Sequence, residues 1–565
     1  MLSASPLRLL MLSCAVLGCT PEATPPAPPA LAELPPLPEV EDATPAPRGP
    51  ERPVRELTLA LVGEVRGEIA PCGCPTLPYG GFARRQRLLD RLRSQERLVH
   101  LDAGELLLKG VSTDREEDRE ARAEALLKLS ATVGVDAWSP GPTDLLALGV
   151  EGALRAARRS DVPPMVSASW ARADGSLLFP AARVVERDGV KVGVIGLSTG
   201  SGAPELRALQ TLPPEEAVAR GLAALDGEDV DLVVVLGSVS DEAADRVAAL
   251  SPRIGAVLST KGRQLDPVRQ PGAGPTSPWP ETALVMEAAD RGRYLSLLRL
   301  RLGSTPEAPL RLLPGEQDWK DLHTARRQVT VLETEASEVS PEALERVRTE
   351  LAAREAAMEE AGRGRNLASG AEVPLAEDLD GPSPVAEIVA GFEREAVLRA
   401  ASRAAAPPPP TATGYAASSA CISCHTAEFA RWSGTDHAQA WASLVARGNR
   451  TGTGPGAPTA PTENPDCVGC HSTGFGEPGG FGELTAANVR RFKAVQCEAC
   501  HGPLAGHPEA PDVHAKPMGP ARCTGCHDPA NSPGFDYDSY LRRATCQGGA
   551  PELMAPPVAI PAPSP

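Results

Sequence analysis

Four short stretches of this 565-residue chain place two cysteines and a histidine in one fixed order. They are "CISCH" (Cys421, Cys424, His425), "CVGCH" (Cys467, Cys470, His471), "CEACH" (Cys497, Cys500, His501) and "CTGCH" (Cys523, Cys526, His527). This is the spacing that covalent attachment of a c-type haem requires. Each thiol adds to one vinyl group of a porphyrin, and the adjacent imidazole reaches the iron from one side. Zinc would leave the histidine after every second cysteine unexplained. Disulfides across the pairs would leave its fourfold recurrence to coincidence. The motifs therefore predict four covalent haem c groups. The eight cysteines bind the rings, and His425, His471, His501 and His527 are the proximal iron ligands.

Axial ligands on the other side decide what such irons can do. Three further histidines share the segment: His437, His507 and His514. They are the candidate distal ligands, and three candidates leave one iron of four short. That iron can take Met518, His100, His323 or nothing. Two imidazoles suit electron transfer, whereas an open position admits a small ligand. From Tyr415 to Arg543 large aliphatic side chains are sparse, so the segment cannot offset its ordering entropy without buried cofactors. Short helices and loops around haem are expected, with little strand.

The run "CISCHTAEFARWSGTDHAQAWASL", with "CHSTGF" at the second motif and "CEACHGP" followed by His507 at the third, resembles the tetrahaem cytochromes of the cytochrome c-554 group. The likeness covers about residues 415 to 535. It implies an electron carrier with stacked haem pairs, in which His437 and His507 are distal ligands. It also implies one open iron, in line with the count above.

Upstream, strand-like and helix-like patterns alternate. Leu57–Val65, Arg97–Glu105, Val190–Ser198 and Val230–Ser238 are β-branched or Leu-rich runs of buried strands. Gly81–Gln95, Asp114–Gly134 and Pro213–Leu225 are amphipathic helices between them. Such alternation predicts an α/β domain with a largely buried sheet. The order of pieces resembles the metallophosphoesterase domain of periplasmic 5'-nucleotidases: Gly80, Gly81, Ala83 and Arg84 match a "GG-x-A-R" element, Asp102-Ala103-Gly104 a "DAG" strand end, and Gly189–Leu197 a later strand. That resemblance implies a two-metal site, and most of its ligands are missing here. "GEVRGEIAPCGC" follows the first strand without an Asp-x-His pair, "SPGPTD" (Ser139–Asp144) stands at the Asn-His position, and "VLGSVSD" and "VLSTKGR" replace the later histidines. Only Asp102 or Glu105 could still bind an ion, and one carboxylate cannot hold the two that such hydrolysis needs. The domain reads as non-catalytic. Cys72 and Cys74, in "APCGCPTLPYGG", are separated by one residue, which disfavours a bond between them. They can bind a soft metal, pair with Cys546, meet a partner, or serve as structural thiols.

The expected organisation follows. Residues 1–18 are an export signal, too short an apolar run to span a bilayer, and "VLGC" ending at Cys19 resembles a bacterial lipobox, which implies a lipidated Cys19. Residues 19–56 are a Pro/Ala-rich tether; 57–305 the α/β sandwich; 306–406 a helical connector of two antiparallel helices (Ser340–Arg363, Pro384–Ser402) and a Pro-rich linker; 407–545 the mostly α/loop multihaem domain; 546–565 a tail. A net charge of −17 argues against a nucleic-acid partner. The expected protein is an exported electron carrier, lipid-anchored at the periplasmic face of the outer membrane, serving redox donor and acceptor proteins. The alternatives are a redox enzyme acting on a small nitrogen or oxygen species at an open haem, and a residual phosphoesterase.

Overall fold

Leu57, Leu59 and Leu61 alternate with Ala60 and Val62 along the first strand, and both sets are buried, against different layers. That strand must therefore lie inside a sandwich. A computed structural model of the chain describes residues 54–71, 79–108, 116–200, 203–260, 268–271, 282–303, 310–312, 341–361, 366–406, 414–448, 460–507, 519–527 and 534–544, with a few single residues between 322 and 329 and at 532. Everything described belongs to one compact unit, Pro50–Pro565.

Two six-stranded mixed sheets face each other. The first contains β1 (Arg55–Val62), β2 (Leu98–Asp102), β3 (Ala137–Trp138), β12 (Tyr294–Leu302), β13 (Leu310–Leu312) and β14 (Asn366–Pro374), in the order β13-β14-β12-β1-β2-β3. The second contains β5 (Ala182–Arg187), β6 (Val190–Ser198), β8 (Leu232–Ser238), β9 (Ile254–Ser259), β10 (Val268–Arg269) and β11 (Leu284–Glu287), in the order β10-β11-β9-β8-β6-β5. Two short strands, β4 (Trp170–Ala171) and β7 (Gln210–Thr211), form a separate ribbon. Leu57, Leu59, Leu61, Val99 and Leu101 meet Val192, Val194, Val234 and Leu236 between the sheets. Helices α1 (Phe82–Arg93), α2 (Glu116–Thr132) and α3 (Pro142–Ala156) cover the first sheet, and α4 (Pro214–Ala224) and α5 (Asp241–Ala248) the second. The result is a four-layer α/β/β/α sandwich, the architecture expected of the middle region.

The sandwich does not end at 305. β14, within the stretch read as a helical connector, pairs antiparallel with β12, Leu298 opposite Gly370. Its sequence, "NLASGAEVP", hides the strand because small residues fill it; a Cβ at Gly370 would come within 2.3 Å of the Val268 side chain. The connector's two helices exist as α6 (Pro341–Ala361) and α7 (Pro384–Ala405). However, α7 packs on α1 and α2, burying Val385, Val389 and Phe392 in the sandwich core. It starts at a Ser383 cap, whose Oγ accepts from Ala386 N at 3.0 Å.

Beyond α7 the chain forms short helices around a small core of Tyr415, Trp441, Leu444, Val468, Phe481 and Phe492. Its β-pairing among the described residues is one bridge, Ser472 with Lys493. This is the sparse, loop-rich domain that the composition predicts. No helix among the described residues is long and apolar enough to cross a membrane.

Candidate haem-binding site

Each Cys-x-x-Cys-His motif winds into about one helical turn. The second and third lie within helices Pro465–His471 and Cys497–His501. In the first and fourth the histidine N–H donates to the carbonyl of the leading cysteine, at 2.9 and 2.8 Å. Positions i, i+3 and i+4 share one helical face, so in the second and third motifs, which lie wholly within a helix, both thiols and the imidazole fall on one side. All eight cysteines are free thiols.

The motifs converge. Cys497 is hydrogen-bonded to Cys421 and pulls its pKa down to about 7, against burial and Glu498. Cys470 is likewise bonded to Cys526, whose pKa is pushed up by that contact, by burial and by Cys500 and Cys523. First and third motifs are therefore neighbours, as are second and fourth, and Cys500 joins the two pairs.

Two pairs of histidine rings lie close together. His425 faces His507 with ring centroids 6.2 Å apart, and His437 faces His527 at 6.0 Å. Two metal–imidazole bonds of about 2 Å, with a ring radius of about 1.2 Å at each end, span about 6.4 Å. The space between each pair thus fits one iron. Burial lowers the pKa of His437; burial, Arg522 and His425 lower that of His501. Both shifts favour the neutral imidazole that binds metal. The Nδ1 atoms of His471 and His527 bond Ala440 O at 2.6 Å and Ser532 Oγ at 2.8 Å, which helps fix the orientation of each ring. Phe535 stacks on His527 at 4.9 Å, and Tyr540 meets its edge at 5.3 Å.

His100 is excluded as the missing ligand: it is 0% exposed on β2, inside the sandwich. His514, Met518, His323, Cys19, Cys72, Cys74 and Cys546 lie outside the described residues.

Sequence reasoning missed Glu498 and Gln496. Glu498, inside the third motif, is 0% exposed. It accepts from Ala416 N, Ala417 N and Leu504 N at 2.9, 2.7 and 2.8 Å. Gln496 Oε1 accepts from Ser418 N at 2.7 Å. Together they tie the third motif to the entry of the first. A glutamate between two attachment cysteines was the available signal.

The sandwich edge holds the remaining candidates. The ends of β1, β2, β8 and β9 meet there: a Cβ on Gly63 would lie 2.6 Å from Thr260 Cγ2 and 3.4 Å from Ala103 Cβ. Glu105 and Asp144 are already engaged, whereas Asp102 Oδ2 is buried without a hydrogen-bond partner. Glu105 Oε1 accepts from Ser238 Oγ at 2.8 Å, and Oε2 from the Thr143 hydroxyl. Asp144 accepts from the N–H groups of Glu105, Leu106, Leu107 and Gly141, all at 2.8–2.9 Å. Asp102 Oδ1 accepts from Gly104 N at 2.9 Å, and burial raises its pKa to about 7, opposed by that bond and by Arg85. Among the described residues no three His, Cys, Asp or Glu side chains converge as ion ligands.

Residues 420–502 match the family "Cytochrome c554 and c-prime". Cytochrome c-554 of Nitrosomonas europaea is 38% identical over 87 residues, 15% of this chain; the chain spans 36% of that relative. The solved reduced form of cytochrome c554 from the same organism covers 23% of this chain and 82% of its own, at 22% identity and TM-score 0.19. A 5'-nucleotidase precursor from Thermus thermophilus covers 74% of this chain and 75% of its own, at 16% identity and TM-score 0.44. The family match implies covalently bound c-type haem in the C-terminal domain.

Proposed function

We propose that the chain is an exported, lipid-anchored electron-transfer protein with four covalent c-type haems, its sandwich a non-catalytic platform for docking redox donor and acceptor proteins. The observation that carries this reading is the pairing of His425 with His507 and of His437 with His527, at a spacing that fits iron. The haems, when bound, supply one-electron centres. The chain's own residues do the rest. Paired imidazoles favour unchanged coordination on reduction. The thiol contacts support a continuous order of sites, first–third–fourth–second. Glu498 and Gln496 hold the first and third sites together, and the Phe535–Tyr540 bracket screens the fourth from water. On the sandwich, Ser238 and Thr143 engage Glu105, which supports loss of hydrolysis. The signal-like start and Cys19 support export and anchoring.

A second reading keeps one iron open for a small nitrogen or oxygen species. The observation in its favour is the count of three further histidines in the segment, His437, His507 and His514, for four irons. Protein purified from a host that matures c-type cytochromes separates the readings. The carrier predicts mainly low-spin spectra, no turnover of nitric oxide or hydroxylamine, and no phosphodiesterase activity. Catalytic turnover at a high-spin fraction would favour the enzyme.

A further inference from the structure

The segment carrying the second attachment motif is gripped by the sandwich. Arg122 of α2 donates from both Nη atoms to the Asp466 carboxylate, at 2.6 and 3.2 Å. The same guanidinium donates to Gly67 O at 3.2 Å, in the loop after β1. It also lies over the Phe392 ring of α7, 5.5 Å from the centroid. Beside it, Asn464 Nδ2 donates to Glu393 Oε1 of α7 at 2.8 Å. Asn464 Oδ1 in turn accepts from Asp466 N at 2.9 Å, capping the helix that contains Cys467, Cys470 and His471. The loop of Gly67 is itself braced: Gly67 N donates to Leu106 O and Arg66 N to Glu105 O, at 2.8 and 2.9 Å. A continuous set of bonds therefore runs from the strand-end edge of the sandwich to the residue immediately before Cys467.

We infer that Arg122 is a positioning residue that sets the redox level of the second haem site through Asp466, so that the sandwich supplies part of the redox centre's electrostatics. The inference rests on the four-haem reading. Asp466 is adjacent in sequence to an attachment cysteine, and its negative charge favours the oxidised iron, which carries one more positive charge. Arg122 balances that charge. The pair is largely withdrawn from water, with side chains 9% and 30% exposed, so the balance is screened far less than at an open surface. The bidentate fork fixes its geometry as well as its sign.

A double-mutant cycle tests this in the full-length haem-loaded protein, read by spectroelectrochemical titration. Arg122→Met leaves the carboxylate unbalanced. One of four redox components should become harder to reduce, by about three- to tenfold in its reduced-to-oxidised ratio at fixed potential; tenfold is about 59 mV for one electron. Asp466→Asn should move the same component the opposite way. The double variant should return close to wild type, and Arg122→Lys should shift less than Arg122→Met. A merely structural role predicts shifts of one sign in both single variants and a larger one in the double. That result, or no shift with four haems in place, would overturn the inference. Absence of covalent haem in the pyridine haemochrome assay of the wild-type protein would instead overturn the haem reading.

Discussion

Replacing His507 by alanine should open one iron in four and leave three untouched. The centroid spacing of 6.2 Å between His425 and His507 would fit a single iron with an imidazole on each side. On the proposed reading alanine would remove one of those two bonds entirely, so the change should be one whole centre rather than a graded loss. His437→Ala should do the same opposite His527, where the spacing is 6.0 Å, and the double variant should open two. Spin counting by low-temperature paramagnetic resonance of the oxidised protein reads the number directly, and carbon monoxide uptake by the reduced protein gives the same integer independently. His100→Gln is the control: its ring is enclosed in the sandwich, so the ratio should not move. Retention of the full wild-type low-spin signal in both His507→Ala and His437→Ala would refute the ligand pairing.

Glu498→Ala should leave three backbone donors without an acceptor, one of them buried and two half-buried, costing about 2–3 kcal/mol. It should show as a lower melting temperature of the haem domain and less than stoichiometric haem at the first and third motifs. Asp144→Ala should orphan four backbone N–H groups beside the sandwich edge, for a loss of about 4 kcal/mol in denaturant unfolding, with Asp144→Asn intermediate. Asp102 has a folded-state pKa raised from 3.8 to about 7. The folded state therefore binds this proton more tightly than the unfolded one, and stability should fall as pH rises from about 4 to about 7. Asp102→Asn should flatten that part of the stability–pH curve, as measured by urea titrations at several pH values.

The chemistry was legible wherever it is local. Cys-x-x-Cys-His needs its three groups on one helical turn, so the spacing itself carries the site. β6 was readable to the residue, Val190–Ser198, because both faces are buried from Val192 onward and only Lys191 interrupts its apolar and glycine run up to Leu197. β14 was not, because Ala368, Gly370 and Ala371 carry too little apolar surface to reveal a period. The role of α7 was hidden for a related reason: its buried face becomes apolar only against α1 and α2. Long-range polar contacts left the least trace. Arg122 and Asp466 are 344 residues apart, and neither stands out within its own helix. His100 was readable as a candidate ligand only because its depth on β2 cannot be seen in a list of histidines.

Covalent attachment at the four motifs is the premise on which the ligand pairs, the redox order and the role of Arg122 all depend. Intact-mass spectrometry of the protein purified from a host that matures c-type cytochromes tests it directly. The account predicts the processed polypeptide plus four haem masses, retained after acid–acetone extraction and reduced by one for each Cys-x-x-Cys pair replaced by alanine. A stable, exported chain at its bare polypeptide mass would contradict it.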